Sequence, residues 1–331
     1  MTLTITTSVI LVLVSIVLLW FGADWLVKGA SKLALSMNIK PIIIGLTVVA
    51  FGTSAPELVV SLLAAFKPGG AEMALGNVLG SNIANIALVL GICALITPLE
   101  IQKDLLKGDM PFLVLVSFLT YALARFGTIG ITDETGLSML DGVIMLGFLA
   151  YFLFRMFVKS KQDNEVDPEL QELMMEKKTS NWINFVMVIM GIVFLVGGAQ
   201  ALVSGGEFIA TSMGIPKFFI SLTMFALGTS IPELAASGMA AYRKETDLCL
   251  GNVIGSNIMN LLIVLAVTVC IQPIAVKANI INFEMPAIVV VAILLYFLCR
   301  IGSMKITRAK GVLLLAFYAV FIFYSYKNGG A

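Results

Sequence analysis

The 331-residue sequence contains no histidine, only four cysteines, and charge on only 12% of its residues. Each shortage excludes something. Soluble proteins carry roughly a quarter charged residues, so a water-soluble globule is excluded. There is no imidazole, and Cys93, Cys249, Cys270 and Cys299 stand singly in or beside apolar runs. No pair has metal-ligand spacing, and the four read as buried core thiols. A net charge of +1 points to no nucleic-acid partner. Residues 1–8 lack Lys and Arg, the basic flank of a signal peptide, so the first apolar run reads as a retained membrane helix.

Apolar length is what the sequence has in abundance. Ten runs suffice to cross about 30 Å of hydrocarbon. They lie at about 9–33, 41–66, 73–98, 110–126, 138–158, 182–211, 217–241, 248–273, 285–301 and 310–326. In lipid, continuous runs of this length satisfy their backbone only as helices. The expected fold is an all-α polytopic membrane protein of ten helices.

The cations set the expected orientation. Loops numbered alternately split the 21 Lys and Arg as 16 against 5, with both termini in the poorer set. The positive-inside rule then puts both termini outside the cytoplasm. The stretch 160–181 between the fifth and sixth runs reads as a cytoplasmic connector, with a short amphipathic helix starting at Asp167-Pro168 and ending near Lys178. Trp20, Trp25 and Trp182 read as interfacial anchors, and Asp141 as structural.

The chain is written twice. Shifted by 176, residues 22–58 fall on 198–234 with about half of the positions identical, and LTVVAFGTSAPEL meets LTMFALGTSIPEL. Shifted by 175, LGNVLGSNIANIALVL meets LGNVIGSNIMNLLIVL. Met110-Pro111 likewise pairs with Met285-Pro286, Tyr121 with Tyr296, and Arg125 with Arg300. Residues 1–159 and 182–331 each hold five runs, and an odd number inverts the second half in the membrane. Secondary transporters recurrently use this plan, with the site at the midplane between repeats.

The strongest matches between the halves are polar. Glu57 and Glu233 are the acids deepest in their runs, and a charge at the bilayer centre costs about 2.5–3.5 kcal/mol even on lenient scales. No basic residue lies centrally in any run, so protons or bound cations must neutralise them. Thr53, Ser54 and Glu57 share a helix face, as do Thr229, Ser230 and Glu233. Pro56 and Pro232 lack an N–H, which frees the carbonyls of Gly52 and Gly228 and breaks the second and seventh helices beside the hydroxyls. Asn77, Ser81 and Asn85 fall at i, i+4 and i+8, and Asn252, Ser256 and Asn260 repeat the spacing. Gly76, Gly80, Gly251 and Gly255 on the same helices permit close backbone approach. All these donors are hard oxygens. Calcium takes about 6–8 of them, so the inventory fits Ca²⁺, and Na⁺ with fewer ligands. Asp24 is weaker as a candidate, since its counterpart is Gln200.

GTSAPE with GNVLGSN, and GTSIPE with GNVIGSN, resemble the two α-repeats of the cation/calcium exchanger superfamily, in its sodium/calcium exchanger branch. The resemblance spans nearly the whole chain. It implies Na⁺-driven Ca²⁺ antiport, no cofactor beyond the transported ions, no enzymatic activity, no protein partner, and location in the cell membrane. It further implies alternating access by sliding of helices one and six. Carried over by position, it makes Glu57 and Glu233 shared carboxylate ligands. Thr53, Ser54, Thr229, Ser230, Ser81 and Ser256 supply side-chain oxygens, and the Ala50 and Ala226 carbonyls face Na⁺. Asn85 and Asn260 take the remaining central positions. Some members have aspartate where Asn260 stands, so Asn260 argues against K⁺ co-transport.

Other readings use the same residues. Proton-coupled relatives usually carry Gly-Asn-x-x-Glu instead, which makes H⁺-coupled exchange the runner-up. A cation channel is disfavoured because a deep two-carboxylate site holds divalent ions too long for rapid conduction. A hydrolase built on Ser54 or Ser230 would lack a histidine or core lysine as base.

Overall fold

The chain's apolar runs are too long to be anything but helices in lipid, and the computed structural model of the protein shows them as such. It describes residues 4–37, 39–66, 70–127, 135–162, 181–213 and 228–329. Among these lie eight helices long and apolar enough to cross a membrane, or nine when a bent pair is counted as one span. They are α1 (Ile5–Ser36), the pair α2 (Pro41–Thr53) and α3 (Ala55–Ala65), α4 (Met73–Ile96), α5 (Leu105–Phe126), α6 (Met139–Lys161), α7 (Asn181–Ser212), then α9 (Thr246–Ile271), α10 (Ile280–Arg300) and α11 (Arg308–Ser325). Between α7 and α9 stands α8 (Ile231–Tyr242), the described part of the run expected at 217–241. Residues 217–227 of that run, including Ala226, lie outside the described residues, as does the amphipathic helix expected at 167–178.

Burial ranks the helices. In α4 and α9, 72% and 78% of the membrane window is buried, against 17% and 28% in α1 and α7. The two helices carrying the Asn-Ser-Asn stripes are therefore the centre, and the most apolar helices form the lipid-facing periphery. At 32 residues each, α1 and α7 are about 48 Å long by helical rise, more than the hydrocarbon thickness, which is long enough to span it with tilt. They pack antiparallel through glycines. A Cβ on Gly191 would sit 2.7 Å from the Leu26 nitrogen and 2.8 Å from the Gly22 carbonyl oxygen, and one on Gly205 would sit 2.8 Å from the Ser8 carbonyl oxygen. Trp25 stacks on Phe194 within this interface, at 5.2 Å between ring centroids, so it packs helices together rather than serving only as an anchor.

Two short antiparallel ladders tie the halves. β1 (Leu99–Glu100) pairs with β4 (Lys305–Ile306), and β2 (Gly136–Leu137) pairs with β3 (Ile274–Ala275). Each ladder takes one strand from each half. Asp141 is buried and accepts from the Ser138 backbone N–H and hydroxyl at 2.7 Å, which starts α6 as a cap.

The spans are not uniform. Wide, i→i+5 turns occur at Gly45–Val49, Ala84–Val89, Leu105–Asp109, Asn260–Leu265 and Ile280–Glu284. At two of them the cause is local. Pro111 and Pro286 withhold the N–H that would bond residues 107 and 282, so the ladder slips there. Turns of this kind recur at functional sites, and Asn85 and Asn260 lie within them.

Candidate cation site

The break in the second span falls at Ser54 (φ −81°, ψ 1°), and the corresponding residue of the other half, Ser230, adopts φ −86°, ψ 3°. Proline two residues on explains both. Its ring clashes with continued α geometry and removes one donor, so the chain leaves the helix for one residue and restarts. The axes of α2 and α3 differ by 41°. The restart puts Glu57 and Glu233 in the first turns of α3 and α8, where the free N–H groups favour negative charge.

Both glutamates are fully buried. Thr53, Ser54, Asn77, Ser81, Asn85, Thr229, Ser230, Asn252, Ser256 and Asn260 are buried as well. A reciprocal hydrogen-bond frame binds them. Asn77 donates to the Ser61 hydroxyl at 3.0 Å and to the Glu57 backbone oxygen at 3.4 Å, while its Oδ1 accepts from Thr229 at 3.2 Å. In the mirror arrangement Asn252 donates to the Ser237 hydroxyl at 2.9 Å and accepts from Thr53 at 3.1 Å. Each asparagine thus joins its own half to the other. Asn260 donates to the Ser81 hydroxyl at 3.2 Å, and Thr53 and Ser256 lie 3.3 Å apart, hydroxyl to hydroxyl. The Ala50 carbonyl oxygen accepts from Thr53 at 3.3 Å and lies 3.5 Å from the Ser256 hydroxyl, which places it inside the cluster.

Ser61 and Ser237 are the residues sequence reasoning passed over. The signal was present: each sits four residues after its glutamate, and the two correspond under the same shift of 176. The expectation for glycines held only in part. A Cβ on Gly255 would meet the Leu46 carbonyl oxygen at 2.6 Å and the Ala50 Cβ at 2.7 Å, so α9 lies against α2 at backbone distance. Around Gly76 and Gly80 nothing described lies within 4 Å, because the counterparts of Ile42 and Leu46 are residues 218 and 222, outside the described set.

The chemistry of this frame lies in what it leaves unsatisfied. Both Glu57 carboxylate oxygens, Glu233 Oε2, the Ser230 hydroxyl, both amide atoms of Asn85 and Asn260 Oδ1 are buried without a hydrogen-bond partner among the described residues. Buried polar atoms are ordinarily paired, and an unpaired one costs about 1–3 kcal/mol. Apart from the Asn85 amide nitrogen these atoms are all oxygens, carboxylates among them, the donor type that hard cations take. Among the described residues no three His, Cys, Asp or Glu side chains cluster, so the donors beyond the two carboxylates are neutral oxygens.

Fold and site define a polytopic membrane protein of the cation-antiporter class. The chain belongs to the sodium/calcium exchanger protein family, whose model matches residues 7–158 and 183–327. It is 40% identical over 323 residues to CaxA of Alkalimonas amylolytica, covering 96% of this chain and 98% of that one. It is 30% identical to the sodium/calcium exchanger MaX1 of Methanosarcina acetivorans, covering 96% and 98%. Among solved structures it is similar to the sodium-calcium exchanger NCX_Mj soaked with 10 mM Na⁺ and zero Ca²⁺, at TM-score 0.81 and 32% identity, covering 96% of this chain and 99% of that one.

Proposed function

We propose that this protein exchanges Na⁺ for Ca²⁺ across the cell membrane by alternating access. Ten helices form two inverted five-helix repeats on either side of the 160–181 connector, and both termini are extracytoplasmic. Glu57 and Glu233 serve as the shared ligands. Thr53, Ser54, Ser81, Asn85, Thr229, Ser230, Ser256, Asn260 and the carbonyls of Ala50 and Ala226 complete the sites. The observation that carries this reading is the set of unpartnered buried oxygens contributed by both halves.

Charge balance gives the mechanism. Two carboxylates are neutralised by one Ca²⁺ or by two or more Na⁺, and the ions compete for the same oxygens. With neither bound, two bare charges would have to pass through the low-dielectric middle of the cycle, at about 5–7 kcal/mol on the insertion scale. A barrier of that size suppresses the empty carrier's return by roughly 10⁴-fold, so transport becomes coupled exchange rather than leak. Helices one and six of the expected count, here α1 and α7, are the sliding element. Their lipid-facing sides and glycine-lined mutual contact allow the pair to move as a unit over the buried α4–α9 centre.

The test is Ca²⁺ uptake into proteoliposomes preloaded with Na⁺ and diluted into Na⁺-free, K⁺-free buffer. Na⁺/Ca²⁺ exchange requires uptake that vanishes when choline replaces internal Na⁺. Uptake indifferent to Na⁺ and driven by an imposed pH gradient would move the chain to H⁺-coupled exchange, with the same two glutamates carrying the protons.

A further inference from the structure

On α7, Gln200, Val203, Ser204 and Glu207 fall at i, i+3, i+4 and i+7 and therefore share one face. That face lines a cavity of about 480 Å³ whose opposite wall is α3 from Ala55 to Leu63 and whose inner end is Gly228 and Thr229. The inner end is the site itself: Thr229 donates to Asn77, and Pro56 in the wall precedes Glu57. The rest of the described lining is mostly Val, Ala and Leu, and Glu207 is the only charged residue among the described residues that line it.

The other half shows what this position does elsewhere. The counterparts of Gln200, Ser204 and Glu207 on α1 are Asp24, Lys28 and Ser31. There the carboxylate is neutralised: Lys28 Nζ lies 2.7 Å from Asp24 Oδ2, and Arg243 pairs with Asp24 Oδ1. Trp20 and Tyr242 close over the same side at 6.3 Å between ring centroids. On α7 the arrangement changes. The counterpart of Asp24 is the neutral Gln200, and the acid stands at Glu207, exposed and without an ion-pair partner among the described residues. An unpaired acid in a spanning helix is costly, and such residues characteristically face water-filled ion routes.

We propose that Glu207 is the cation-collecting residue at the mouth of the route to Glu57 and Glu233 from one side of the membrane. This rests on the exchange reading above and adds a specificity-determining residue to it. The low-dielectric walls focus the field of the single carboxylate along the cavity and raise the local cation concentration. The attraction scales with ion charge, so it favours Ca²⁺ over Na⁺ at entry without contributing a ligand to the bound state. It acts on one side only, because the α1 side holds its acid in ion pairs.

Right-side-out and everted membrane vesicles carrying the full chain, preloaded with Na⁺, test this by initial rates of Ca²⁺ uptake. In one polarity, Glu207→Gln should raise the apparent KM for Ca²⁺ about 3- to 10-fold at roughly 10 mM ionic strength, where the Debye length is about 30 Å. The maximal rate should be unchanged, the effect should shrink below about twofold at roughly 0.3 M salt, and Glu207→Asp should restore the wild-type value. The opposite polarity should show no change. An unaltered KM in both polarities, an equal shift in both, or a loss of maximal rate in Glu207→Asp would overturn the assignment. Wild-type vesicles without Na⁺-driven uptake would overturn the exchange reading and this inference with it.

Discussion

Ser54, at the break between α2 and α3, donates its hydroxyl to Glu233 Oε1 at 3.3 Å, across 179 residues of sequence. One half thereby positions the carboxylate of the other. A hydrogen bond to a charged group contributes about 1.5–3 kcal/mol. Ser54→Ala should therefore weaken Ca²⁺ binding by about tenfold or more, read as a higher apparent KM, while the detergent-solubilised protein keeps its melting temperature within a few degrees.

Asn77 and Asn252 each bond both halves at once, so each should be a stability residue rather than a selectivity residue. Interhelical hydrogen bonds in membranes contribute about 0.6 kcal/mol on average and up to about 1.7. Asn77→Ala and Asn252→Ala should each destabilise by about 1–2 kcal/mol, and by similar amounts because their partners correspond. Thermal unfolding in detergent checks this; a cost from only one of the two would show that the frame is not reciprocal.

Close backbone contact makes a purely steric prediction. Gly255 faces the Leu46 carbonyl and Ala50 at 2.6–2.7 Å from an added Cβ, whereas Gly147 on α6 meets nothing described within 4 Å. Gly255→Ala should cost about 1–3 kcal/mol as overpacking and displace the Ala50 carbonyl from the site. Gly147→Ala should be neutral or slightly stabilising, since alanine is the better helix former. Paired melting curves separate the two.

Glu245, in the turn between α8 and α9, has its carboxyl raised above the ordinary range chiefly by burial, with repulsion from Asp247 adding to it. The folded protein thus holds a proton that the unfolded chain has already released. Its stabilising contribution is full below the ordinary carboxylate pKa and is lost as pH rises through the folded value. Glu245→Gln should accordingly gain stability relative to the wild type as pH rises above the ordinary carboxylate pKa of about 4. A difference in melting temperature that stays constant as pH rises from about 4 would contradict this.

The sequence foreshadowed the spans and the break, because both follow from strictly local rules: apolar length fixes a helix in lipid, and Pro56 and Pro232 fix its interruption at Ser54 and Ser230. The gathering of the polar residues was legible only because they occur twice at one shift. What escaped were features decided by contact between separate helices and strands. Ser61 and Ser237 look like ordinary small residues until Asn77 and Asn252 reach them from neighbouring helices. Asp109 sits at the edge of an apolar run, and only the fold brings Arg155 and Lys159 to its buried carboxylate, at 3.4 and 3.1 Å. The β1–β4 and β2–β3 ladders, two residues a strand, have no pattern of their own to read.

On the proposed function, Glu57 and Glu233 together hold one Ca²⁺ in competition with Na⁺. Equilibrium titration of Ca²⁺ into the purified protein and into its Glu57→Gln and Glu233→Gln variants, with and without Na⁺, tests it most directly. Removing one charged partner from a buried pairing costs about 3 kcal/mol, or roughly 100-fold in Kd. Each variant separately should lose affinity by that factor, and Na⁺ should displace Ca²⁺ from the wild type. Undiminished Ca²⁺ binding in either variant, or wild-type binding indifferent to Na⁺, would contradict it.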